Sequence, residues 1–101
     1  MDCPSRIKVV GKNYAIEILD RVDEDDSLGY SDETNQKVLL KRAQHFEALK
    51  DTLLHEVVHA IDHAIGLDLR EEQVRGLAGG ILQVLRDNPK FARFLLERAK
   101  R

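Results

Sequence analysis

The sequence predicts an α+β fold: a small antiparallel N-terminal sheet packed on a long helix, with two further helices after it. Three observations predict it. Apolar residues recur with a period of two before about residue 43 and with a helical period beyond it. Clusters of turn formers cut the first part into short strands. Gly66 and the pair Asn88-Pro89 cut the second part into three helices. A chain of 101 residues is near the common size of one domain with one modest core, so residues 1–101 read as a single unit. Its sheet region covers about 6–41 and its helical region about 44–101.

Each element has its own justification. Ile7 and Val9 alternate with Arg6 and Lys8, Gly11-Lys12-Asn13 offers a turn, and Tyr14, Ile16 and Ile18 alternate again, which predicts a hairpin. Asp20 to Ser27 is acidic without an apolar run and reads as a loop. Gly29-Tyr30 and Lys37 to Lys41 flank the turn formers Ser31-Asp32-Glu33-Thr34-Asn35, which predicts a second hairpin with Val38 and Leu40 on one face. From Phe46 to Ile65, Leu49, Leu53, Leu54, Val57, Ala60, Ile61, Ala64 and Ile65 form a broad apolar arc, and Gly66 is suited to end that helix. Asp68 is placed to cap a second helix with a stripe of Val74, Leu77, Ala78, Ile81, Leu82 and Leu85. Asn88-Pro89 opens a short third helix carrying Phe91, Phe94 and Leu95.

Composition excludes several classes. With 43% hydrophobic and 34% charged residues the chain is globular rather than disordered. A formal net charge of −2 gives no global basic field for nucleic acid or an anionic membrane. The run from Arg93 to Arg101 is locally basic and reads as a solvated helix face. Cys3 is the only cysteine, so no internal disulfide can form, which fits a reducing compartment. Met1-Asp2-Cys3-Pro4 lacks the charged and apolar regions of a signal peptide, and no apolar stretch approaches the ~20 residues that span a bilayer. A cytoplasmic location is the expectation, that of a bacterial host if the chain is phage-encoded.

The chemistry concentrates in His55-Glu56-Val57-Val58-His59. Two imidazoles four residues apart on a helix can hold one metal ion, and the intervening glutamate can act as a general base; the spacing is that of a zinc site. On a wheel stepped by about 100° per residue from Leu49, the apolar arc covers roughly 0–180°. His55 falls at roughly 240°, His59 at roughly 280°, His63 at roughly 320° and Glu56 at roughly 340°. All four lie on the side the arc leaves free. The alternative is a solvated polar face that carries His and Glu at this spacing. A catalytic zinc needs a third protein ligand. His63 would extend the row along the helix rather than converge. Asp62 suits an acceptor for an imidazole N–H. Asp68-x-x-Glu71 has the form of a capping box, which occupies Glu71 and leaves Glu72 as the expected third ligand, with Glu71 as its alternative.

The segment Thr52-Leu53-Leu54-His55-Glu56-Val57-Val58-His59-Ala60-Ile61-Asp62 resembles the metal helix of zincin metallopeptidases. HExxH followed by a glutamate at the start of the next helix is similar to the gluzincin branch. Gly29-Tyr30, the strand Gln36 to Leu40 and the later Glu71-Glu72-Gln73-Val74 resemble small ImmA/IrrE-like and related phage or bacterial proteins. The resemblance implies a minimal zincin: a metalloprotease in which His55, His59 and Glu72 bind Zn²⁺ and Glu56 activates the zinc-bound water. It also implies an edge strand that receives extended peptide above the metal helix, within Lys37–Lys41 or around Gly29-Tyr30. Two positions depart from the pattern. Glu72 is followed by Gln73-Val74-Arg75, and Gly76 stands where larger gluzincins place an acidic residue.

A rival from another class is a catalytically inactive, zinc-stabilised protein-binding module, such as a phage regulatory partner. A third is a metal-free helical interaction domain that uses the Phe91–Leu96 face. The expected partners are a peptide or protein substrate, and neither nucleic acid nor membrane. A chain this short leaves open an oligomer or partner protein that completes the cleft. No oxyanion partner is identifiable; Tyr30 reads as a half-buried hairpin residue.

Overall fold

A computed structural model describes residues 2–99. Its architecture is α+β, as the sequence predicts: strands β1 (Arg6–Val9), β2 (Lys12–Leu19), β3 (Gly29–Asp32) and β4 (Lys37–Lys41), then helices α1 (Phe46–Ile65), α2 (Glu71–Asp87) and α3 (Pro89–Leu96). Strand order is β1-β2-β4-β3. The two hairpin pairings, β1 with β2 and β3 with β4, are antiparallel. The central pair β2–β4 is parallel, so the sheet is mixed where an antiparallel one was expected. The reason is topological: the chain leaves β2 through the acidic loop, builds β3 on the outside and returns β4 between them. Of the two strands that could have bordered a site, β4 is therefore interior and β3 is the edge.

The first turn is tighter than expected. Val9 pairs with Lys12, leaving Val10 and Gly11 as a two-residue loop with φ of 46° and 81°. Two positive φ values are the mark of the type I′ hairpin turn, whose twist matches the flanking strands. Across the sheet, alternation sorts residues by face. Tyr14 and Ile16 of β2 and Val38 and Leu40 of β4 are buried on the face toward α1. Register continues these rows as Ile16–Val38–Ser31 and Ile18–Leu40–Gly29. The inner face thus shrinks from large aliphatics at β2 to serine and glycine at β3. That taper lets α1 come close to the sheet on its polar side.

Helix α1 serves two cores. Leu49, Leu53, Val57, Ala60 and Ile61 pack against Val9, Tyr14, Ile16, Val38 and Leu40 of the sheet. Leu54 and Val58 pack against Val74 and Ala78 of α2, with Leu69 beside them. Gly66 ends α1 in the left-handed conformation at φ 70°, its N–H donating to the Asp62 carbonyl at 2.7 Å, as a C-terminal glycine should. Helix α3 starts with Pro89 at its first positions and leaves Phe91, Phe94, Leu95 and Leu96 exposed. Among the described residues, no helix is long and apolar enough to cross a membrane.

Candidate metal centre

Successive turns of α1 carry His55 and His59, and their ring centroids lie 4.9 Å apart. Both Nε2 atoms turn toward one carboxylate across the α1–α2 junction. His55 Nε2 lies 2.5 Å from Glu71 Oε1, and His59 Nε2 lies 3.0 Å from Glu71 Oε2. One ligand atom from each of the three residues falls within 4.8 Å of the others, so His55, His59 and Glu71 form a group that could hold a metal ion. The donor set, two imidazole nitrogens and a carboxylate oxygen, suits a divalent transition metal.

Glu72, the sequence expectation for the third ligand, is not brought to the histidines. Its carboxylate meets the Arg70 guanidinium at 3.2 Å on the exposed side of α2. The difference is one residue of helix register, and its cause lies in the connection. Asp68 does not cap α2; it takes a left-handed φ of 59° as the chain turns. Asp62 on α1 accepts the Leu69 N–H through Oδ2 at 3.1 Å. Arg70 is then the residue before the helix, and its N–H donates to Gln73 Oε1 at 2.9 Å. Gln73 thus makes the back-reaching bond expected of Glu71. That leaves Glu71, the first helical residue, free to reach the imidazoles. Asp62 accordingly ties α1 to the segment that leads into α2 rather than accepting an imidazole N–H, and its Oδ1 is buried without a hydrogen-bond partner among the described residues. His63, in the last turn of α1, is exposed and stands outside the group.

Glu56 is 7% exposed, although the apolar arc leaves its side of α1 free. The cover comes from β3. A Cβ built on Gly29 would stand 2.5 Å from Thr52 Cγ2 and 3.1 Å from Glu56 Oε2, so strand and helix touch backbone to side chain there. Thr52 is fixed in this contact by its hydroxyl, which donates to Gln44 Oε1 at 2.9 Å. Burial, and then the nearby charges of Glu71 and Glu33, push the Glu56 carboxyl up to about 7. A carboxyl in that range exchanges protons readily near neutral pH.

The group opens into a cleft of ≈ 710 Å³ between β3, α1 and α2. Tyr30, half-exposed on β3, lines it. Four further charged residues line it that motif reading did not select as site residues: Asp23, Glu33, Asp51 and Arg75. Arg75 had a signal, since it lies four residues after Glu71 and so on the same helix face. Asp23 and Glu33 had none, because only the fold brings their loops to the site. Comparisons with protein-family models, with curated proteins and with solved structures find no match to this chain.

Proposed function

We infer that the chain is a zinc-dependent metallopeptidase in which His55, His59 and Glu71 hold Zn²⁺ and Glu56 is the general base. The observation that carries this reading is the pairing of an open three-residue metal group with a buried carboxylate whose pKa stands near 7. A structural zinc site is closed by four protein ligands and needs no base; three ligands facing a cleft fit a catalytic site. Zinc, when bound, would supply Lewis acidity toward a peptide carbonyl and toward water. Glu56 takes a proton from the attacking water and passes it to the leaving amine, a task that favours a pKa close to working pH. The free edge of β3 offers main-chain groups to an extended peptide, which would hold the scissile bond over α1.

Glu56→Gln tests the reading. The amide preserves size but cannot accept the proton, so this variant is expected to keep one zinc per chain and lose peptide hydrolysis. Zinc is counted by metal analysis and hydrolysis is followed on a diverse peptide library. Wild-type turnover in the variant removes Glu56 from the chemistry. Wild-type protein that holds zinc and cleaves no library member is a zinc-stabilised binding module instead.

A further inference from the structure

Apart from the metal group and its base, the cleft carries a second pattern of charge. Asp23 lines the cleft from the loop before β3, Glu33 from the turn after β3, and Asp51 from α1. Arg75 is the one cation among the described residues that line the cleft. The two carboxylates that flank β3 are held in position. Asp23 Oδ1 accepts the Ser27 N–H at 2.9 Å, and that bond holds its carboxyl below the usual range, so it is ionised. Glu33 Oε1 accepts the hydroxyl of Ser31 at 3.0 Å, and Ser31 is buried in the β3 face that turns toward α1.

Neighbouring acids behave differently. Asp20 pairs with Arg42 and Asp26 with Lys41, which neutralises both. Asp23, Glu33 and Asp51 form no ion pair among the described residues. Between the two flanking carboxylates lies an unpaired strand edge with Glu56 beneath it. Glu56 is almost fully buried, borders the cleft and makes no side-chain hydrogen bond among the described residues. Its carboxylate oxygens are not sealed from the cleft, so the N–H groups of an occupant can reach them.

We propose that the cleft selects extended peptides with Lys or Arg side chains on both sides of the bond at the metal group, held by Asp23 at one end of β3 and Glu33 at the other. From Gly29 to Glu33 an extended strand covers ~13 Å, so a peptide of four or five residues laid along β3 runs from the loop that carries Asp23 to the turn that carries Glu33 in either direction. A concave surface of one sign concentrates ligands of the other sign. The position of the scissile bond rests on the peptidase reading above; charge selection is a property of binding and is measured without cleavage.

Zinc-loaded Glu56→Gln protein is titrated calorimetrically with three peptides of one sequence that carry Lys, Gln or Glu at both flanking positions. At low salt the Lys peptide is expected to bind about tenfold more tightly than the Gln peptide, and the Glu peptide most weakly. High salt should shrink the difference, since partly exposed charges are screened. Adding Asp23→Asn and Glu33→Gln should abolish most of it without changing zinc stoichiometry and with only a small fall in melting temperature, because each amide keeps an oxygen, though an uncharged and weaker one, to accept the Ser27 N–H or the Ser31 hydroxyl. Should the added substitutions disturb the fold, the salt titration of the parent still decides. Equal binding of the three peptides, or tightest binding of the Glu peptide, overturns the proposal. Charge-selective binding with no wild-type cleavage of any peptide upholds it and defeats the peptidase reading; equal binding of the three peptides with wild-type cleavage of them does the reverse.

Discussion

Glu71 and Glu72 are consecutive residues of one helix, so they point about 100° apart around its axis. That rotation decides which of them meets the two imidazoles. Glu71 contacts both Nε2 atoms, while Glu72 spends its charge on exposed Arg70. Glu71→Gln, which replaces an anionic oxygen with a neutral one, should weaken zinc binding by about tenfold or more. Glu72→Gln should leave it unchanged and hardly affect stability, since an exposed ion pair contributes at most about 1 kcal/mol. Competition against a chromophoric chelator measures both. A larger loss in Glu72→Gln would mean that α2 is turned by one residue relative to the arrangement described. His55, Glu56 and His59 were legible because their spacing is local to one helix. The carboxylate that meets the two imidazoles was legible only as a choice between neighbours. The register of α2 depends on Asp62 and Gln73, and nothing in the sequence marks Gln73 over Glu71 as the residue that reaches back to the helix start.

At the level of elements, the contact between β3 and α1 buries Glu56 beside the metal group. The sheet's inner face ends in Ser31 and Gly29, and against them α1 presents Thr52 and Glu56 rather than an aliphatic ridge. Gly29 is required here by close approach, not by its φ. Gly29→Ala would drive a methyl into Thr52 Cγ2, so it should cost about 1–3 kcal/mol by overpacking and lift β3 from Glu56. Thr52→Ser removes that Cγ2 yet keeps the hydroxyl for Gln44, so the double variant should recover part of the loss. Urea denaturation of the single and double variants gives the coupling; a Gly29→Ala protein as stable as wild type would refute the contact. Strands β1, β2 and β4 were legible from alternation, and Gly66 from its place after the last apolar residue of α1. Strand β3 was legible only as Gly29-Tyr30, since Ser31 and Asp32 read as turn formers and belong to the strand. The parallel pairing of β2 with β4 was not legible, because neither strand's pattern reveals its neighbour. Without that pairing, β3 could not be singled out as the edge, nor Gly29 as the point of contact.

For the whole molecule, one ion bound at the centre would brace the junction of α1 with α2. Packing links α1 to the sheet and, separately, to α2; the His55–His59–Glu71 group closes the second junction at the cleft. In metal-free protein the same place is a source of instability. Glu56 has a carboxyl raised from 4.5 to about 7 in the folded chain, so between those values the native state holds a proton that the unfolded state has released. Stability must then fall as pH rises through that window, and the full effect is about 3 kcal/mol. Glu56→Gln has no such proton, and its metal-free stability should be flatter over the same range. Zinc should act in the opposite sense. Its binding requires deprotonated imidazoles and opposes the charge of Glu71, so the stabilisation it adds grows with pH and with concentration. Thermal melts of chelator-treated and zinc-loaded protein across the window would separate the two effects. The metal-free wild type should lose melting temperature toward neutral pH, Glu56→Gln should not, and zinc should restore the wild type most where the loss is greatest. A metal-free wild type whose melting temperature rises toward pH 7 would show that the buried carboxylate is compensated within the chain, and the argument for its readiness to take a proton would fall with it.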